Sequence, residues 1–193
     1  MSVFSELGLL IRLSNSHDIA RRYFVVNGLD GALAMLGLTM GFHVSGGVEI
    51  STAVSACLAT AIALGMSGLS SGYVSETAER KRELSELERA MVTNLEQSVH
   101  ATAARLVPVF IALVNGLGPF LIAMLVTIPL WLEQGGIAMP FGALQSAIAM
   151  AFMVIFLMGM LLGRISGTFA LWSALRTLAI ALATSALILL FTA

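Results

Sequence analysis

Residues 25–41 read VVNGLDGALAMLGLTMG and set one carboxylate, Asp30, inside a run that is otherwise apolar and helix-forming. An Asp near the centre of a bilayer costs about 2.5–3.5 kcal/mol on insertion scales, so an acid at such depth is first read as functional. Counted from Tyr23, Asp30 lies about 10–12 Å along a helix axis, inside a hydrocarbon layer about 30 Å thick. Long basic side chains snorkel out from that depth, whereas the short Asp side chain does not. Asp30 is therefore expected to face protein, water or an ion.

The rest of the chain has the composition of a membrane protein. Of 193 residues, 58% are hydrophobic and only 11% charged, with a mean hydropathy of +0.95. Soluble domains carry about 25% charged residues. Five segments are long and apolar enough to span, about 23–44, 50–74, 106–132, 141–162 and 169–191. The expected fold is an all-α integral membrane bundle of five transmembrane helices in a single domain, 1–193. If each segment crosses once, all ten Lys and Arg fall on one side: Arg12, Arg21 and Arg22, then Arg80, Lys81, Arg82, Arg89 and Arg105, then Arg164 and Arg176. The opposite connections, HVSGGVE and LEQGGIAMP, hold none. The positive-inside rule then predicts a cytoplasmic N-terminus and an outward C-terminus. The first eighteen residues read as an amphipathic surface segment rather than a signal peptide.

Small residues recur at helix-packing spacing: Gly37 with Gly41, Gly68 with Gly72, and Gly159 with Gly163 and Gly167. The third segment contains Pro108, Pro119 and Pro129. Pro119 cannot bond the carbonyl of Asn115, so VNGLGPF marks a helix break whose free oxygen is either a ligand or satisfied by neighbours. Cys57 stands alone and reads as a packing residue. His17, His43 and His100 lie far apart and read as interface residues.

The connection 75–105 predicts a cytoplasmic helical hairpin over 76–104, with the second helix running out of the membrane and a short helix leading back. Glu76, Glu79, Glu83 and Glu86 share one arc of that helix, with Lys81, Arg82 and Arg89 largely opposite. The arc is either a solvated face relieved by Arg80 and Arg82 or a carboxylate ladder that collects divalent cations.

Several stretches resemble the vacuolar iron transporter family. RRYFVVNGLDGALAMLG is similar to its first helix, SGLSSGYVSETAERKREL to its second-helix exit, NGLGPF to its third helix and GRISGTFALWSALRTLAIAL to its fourth-to-fifth crossing. The resemblance implies a homodimeric exporter of Fe²⁺ or Mn²⁺ from the cytosol in exchange for protons, with Asp30 as transport carboxylate and Glu76, Glu79, Glu83 and Glu86 at the start of a metal-binding helix. It also implies a multi-pass protein of a prokaryotic cell membrane or a eukaryotic vacuolar or other endomembrane. The chain departs from the family in helix two, where Gly68 and Gly72 stand for a Met and an acid. Met66 is the nearest thioether. The cytoplasmic insertion is also short.

One carboxylate cannot satisfy a dehydrated divalent ion, which wants about six ligands. Two copies of Asp30 across a symmetry axis, with Asn27, Ser70 or Met66 nearby, supply a mixed oxygen and thioether set. Protons and metal then compete for the same oxygens. A static Asp30–Arg176 ion pair is the structural alternative. A non-transporting scaffold or metal sensor is another, and a CDP-alcohol phosphotransferase-like enzyme a third, although its downstream aspartates are absent. No basic surface suggests nucleic acid, and the expected partners are lipid, divalent metal, protons and a second copy.

Overall fold

Apolar runs, three of whose four connections contain glycine, fold into five α-helices in the computed structural model, which describes residues 16–92 and 98–192. These are α1 (Ser16–Ser45), α2 (Ile50–Met91), α3 (Val99–Gln134), α4 (Ala143–Ile165) and α5 (Ala170–Thr192). All five are long and apolar enough to cross a membrane, and the described residues contain no strand. The expected surface segment at the N-terminus lies outside the described residues.

Helix length decides what extends beyond a bilayer. With 42 residues, α2 is about 63 Å long, roughly twice a hydrocarbon layer. Its charged second half therefore continues the apolar first half as one rod, as expected. The return path differs from expectation. Among the described residues the path back through His100 and Arg105 is α3 itself, which Ser98 caps, its side chain accepting from the Ala101 amide at 3.2 Å. From there α3 runs unbroken through Arg105 and Pro108.

α3 is the central helix, packing against α2 on one side and α1 and α4 on the other, while α5 covers α4 and part of α1. α1 and α2 meet at few points. The fully buried side chains Met35, Leu36, Val126, Leu130 and Ile155 fill the space between α1, α3 and α4, and Cys57 is buried as a packing residue.

Glycines let the backbones of these helices touch. A Cβ on Gly31 would lie 2.6 Å from the carbonyl oxygen of Pro119, and one on Gly116 would lie 2.6 Å from that of Gly65. The helix continues through Pro119 rather than breaking there, and the Pro119 turn of α3 is clamped between glycine faces of α1 and α2. Gly68 and Gly72 pack on Asn115, and Gly159 and Gly163 pack on α5, in line with their spacing. Gly37 and Gly41 do not behave this way. Nothing within the chain comes within 4 Å of a Cβ at Gly41, and only Ile188 approaches Gly37, at 3.9 Å. Gly167 lies past the end of α4, with φ at +66°.

Candidate functional site

Asp30 sits near the middle of α1, about 18 Å from Asp18 and about 22 Å from Ser45 along the axis. Helical periodicity splits α1 into two faces. Gly28, Ala32, Met35, Leu36, Thr39 and Met40 are buried in the bundle, whereas Arg22, Val26 and Asp30, each four residues on, are exposed. The open face continues past Asp30 through the half-buried Ala34, Gly37 and Gly41. Asp30 has no hydrogen-bond or ion-pair partner among the described residues.

The structure does not pair Asp30 with Arg176. Arg176 instead lies over the indole of its own helix neighbour Trp172, 5.5 Å from the ring centre. A guanidinium four residues along a helix from an indole meets its π face without crossing to another helix. The proposed structural ion pair is thereby replaced by a local contact within α5.

Asn27 and Asn115 are brought together, although not around Asp30. The Asn27 side-chain amide donates to the carbonyl of Tyr23 at 3.0 Å and also to Oδ1 of Asn115. The buried Asn115 in turn donates from Nδ2 to the carbonyl of Gly68 at 2.7 Å. One asparagine pair thus ties α1 to α3 and α3 to α2. Buried polar groups need partners, and here each serves the other. The carbonyl of Asn115 that Pro119 leaves free packs against Gly68, since a Cβ there would lie 2.7 Å from it. That oxygen therefore faces the Gly68 backbone of α2. The proline marked Asn115 in the sequence, but its partners Asn27 and Gly68 carry no local signal.

Met66 and Ser70 lie on the exposed side of α2. Met66 lines an apolar groove of about 190 Å³ with Ile62, Leu113, Leu117 and Phe120. Ser70 donates back to the carbonyl of Ser67 at 3.1 Å. No bond joins either residue to Asp30 within one chain.

The acidic arc of α2 is held by arginines. Glu76, buried despite its charge, accepts from Arg80 Nε at 2.8 Å, and the same guanidinium reaches Glu83 at 2.9 Å. Arg82 pairs with Glu86 at 2.9 Å and stands within electrostatic reach of Glu79. Among the described residues, no three His, Cys, Asp or Glu side chains gather as metal ligands. The arc is arginine-paired, buried at Glu76 and exposed at Glu83 and Glu86.

A polar pocket missed by sequence reasoning opens at the far end of the bundle. His43, Glu133 and Gln145, from α1, α3 and α4, line it together with Ile50, Phe141 and Leu144.

No protein-family model matches the chain, and no solved structure matches it. An uncharacterized protein of Methanocaldococcus jannaschii is 27% identical over 169 residues, which cover 86% of this chain and 85% of that protein. That similarity takes in most of both chains and carries no functional description.

Proposed function

We propose that this chain is a membrane exporter of divalent transition-metal ions, Fe²⁺ or Mn²⁺, driven by counter-flow of protons and built as a homodimer around Asp30. One observation carries the reading: an unpartnered carboxylate midway along an apolar helix, on a face that its own chain leaves open. Such a group is costly against lipid. A second copy related by a two-fold axis covers it and brings a second carboxylate to the same place. Two carboxylates neutralise a divalent ion, and water or backbone oxygens complete its shell. Because each proton bound removes one ligand charge, loading with metal and with protons exclude one another.

The N-terminus, the end of α2 and the start of α3 stand on the cytoplasmic side in this reading, since the basic residues collect there. Asn27 holds α1 to α3 and is not a ligand. Met66 and Ser70 reach the ion only if the partner copy presents them. The arginine-paired arc of α2 favours a second reading, a scaffold or sensor whose stalk docks a cytoplasmic protein.

Flux decides between them. In proteoliposomes with an imposed pH gradient, the wild-type chain is expected to move Fe²⁺ or Mn²⁺, and Asp30→Asn, folded as judged by monodisperse elution, is expected to lose at least tenfold of that flux. Undiminished flux in Asp30→Asn overturns the transport role of this residue. No flux of any divalent ion by the wild-type chain leaves the scaffold reading standing.

A further inference from the structure

We propose that His43 and Glu133 form a separate binding site for a divalent metal ion of borderline hardness, such as Zn²⁺ or Co²⁺, at the end of the bundle opposite the arginines. The two residues line one pocket of about 250 Å³ where the last turns of α1 and α3 meet the first turn of α4, and Gln145 lines it with them. The decisive feature is the Glu133 carboxylate. Its Oε2 is buried and has no hydrogen-bond partner among the described residues. Burying a carboxylate oxygen without a partner is expensive, and such an oxygen is ordinarily met by a donor or a cation.

Two further facts say which of these it awaits. Glu133 is in the last turn of α3, where the carbonyl end of the helix repels negative charge and attracts positive charge. No Lys or Arg of the chain lies in the connections at this end, which carry only Glu49 and Glu133 as charged residues. Glu133 is half-buried, and the one basic side chain beside it in the pocket is His43, so a cation held between the two would give its buried oxygen a partner. His43 selects its kind. Imidazole with carboxylate and an amide oxygen suits Zn²⁺, Co²⁺ and Fe²⁺, whereas Ca²⁺ and Mg²⁺ take oxygen ligands almost exclusively. His43 is solvent-exposed at the rim, so an ion enters without unfolding anything. With two side-chain ligands, an amide and water, the site binds and releases rather than locking an ion permanently.

The site stands on its own pocket and does not depend on Asp30. The test therefore uses the full-length chain carrying Asp30→Asn, purified in detergent and stripped with a chelator, and titrated with Zn²⁺ by calorimetry and with Co²⁺ by visible absorption. This protein is expected to bind both ions, with a Co²⁺ spectrum that reports nitrogen ligation. Adding His43→Ala or Glu133→Gln is expected to raise the Kd at least tenfold, and His43→Ala to abolish the nitrogen signature. Should Glu133→Gln elute as aggregate, His43→Ala at the exposed rim carries the test alone. Binding that neither substitution weakens, or no binding while both residues are intact, overturns the proposal. Either result is independent of whether Asp30 supports flux.

Discussion

Asn115 and Gly68 engage each other twice. The Asn115 side chain donates to the Gly68 carbonyl at 2.7 Å, and the Asn115 carbonyl that Pro119 cannot bond lies 2.7 Å from where a Cβ at residue 68 would be. The turn of α3 before Pro119 thus packs directly on α2, and through Asn27 the same side chain holds α1.

Replacing Asn115 by Leu is expected to lower stability by about 1–3 kcal/mol, because interhelical hydrogen bonds in membrane bundles are worth about 0.6 to 1.7 kcal/mol each and two are lost. Asn27 and the Gly68 carbonyl are then left without this partner. Thermal unfolding in detergent checks this, with Thr184→Val as control. Thr184 is half-buried and its hydroxyl bonds only within its own helix, to the Ile180 carbonyl, so losing that hydroxyl should stay within about 0.5 kcal/mol.

Two glycines on α1 should respond to the same substitution with opposite signs. Alanine exceeds glycine in helix propensity by about 0.8–1 kcal/mol, and at Gly41 nothing within 4 Å opposes the added methyl. At Gly31 the methyl meets the Pro119 carbonyl at 2.6 Å and its Cα at 2.8 Å, both backbone atoms that cannot step aside. Gly31→Ala is expected to destabilise by about 1–3 kcal/mol through overpacking. Gly41→Ala should be neutral or stabilising for the single chain in the same melting experiment.

Arg80 and Arg82 differ in burial more than in bond length. Arg80 and Glu76 are 14% and 10% exposed, whereas Arg82 and Glu86 are 72% and 62% exposed. Removing Arg80 strands a buried carboxylate, so Arg80→Ala should cost about 1–3 kcal/mol. Arg82→Ala breaks a pair that water already screens and should change stability far less than Arg80→Ala. Raising the salt to 1 M should erase the second effect and leave most of the first, as denaturation at two ionic strengths would show.

The sequence legibly encodes the helices and their number, because long apolar runs and one-sided charge are properties of neighbouring residues. The outward continuation of α2 was legible for the same reason, its heptads turning amphipathic without a break. Contacts between helices were not. Nothing local tells that Asn27 meets Asn115, or that Arg176 turns to Trp172 and leaves Asp30 alone. The spacing of Gly37 and Gly41 equals that of Gly68 and Gly72, yet only the latter pair packs within the chain. Spacing states that a face is smooth, while the partner that uses it depends on which way the helix is rotated. Glu133 and His43 stayed hidden because they are ninety residues apart and meet only where three helix ends converge.

The smooth face of α1 yields the last prediction. Val26, Asp30, Ala34, Gly37 and Gly41 lie along one side, at spacings of three or four residues, with no other helix of the chain burying them fully. If this side meets its copy across a two-fold axis, residues at its centre approach their own counterparts. A single cysteine placed by Val26→Cys in a Cys57→Ala background should form a disulfide-linked dimer in membranes under mild oxidation. A cysteine at Thr184, half-buried on α5 beside Ala181 and Ser185, should not. Adding Gly41→Leu should reduce the Val26→Cys crosslink severalfold, because a branched side chain at that position holds two backbones apart where glycine lets them touch. Monomer stability should change little, since no described residue comes within 4 Å of a Cβ at Gly41. Equal crosslinking at 26 and 184, read on a non-reducing gel, would place any dimer contact elsewhere and leave Asp30 without the second carboxylate that a divalent ion requires.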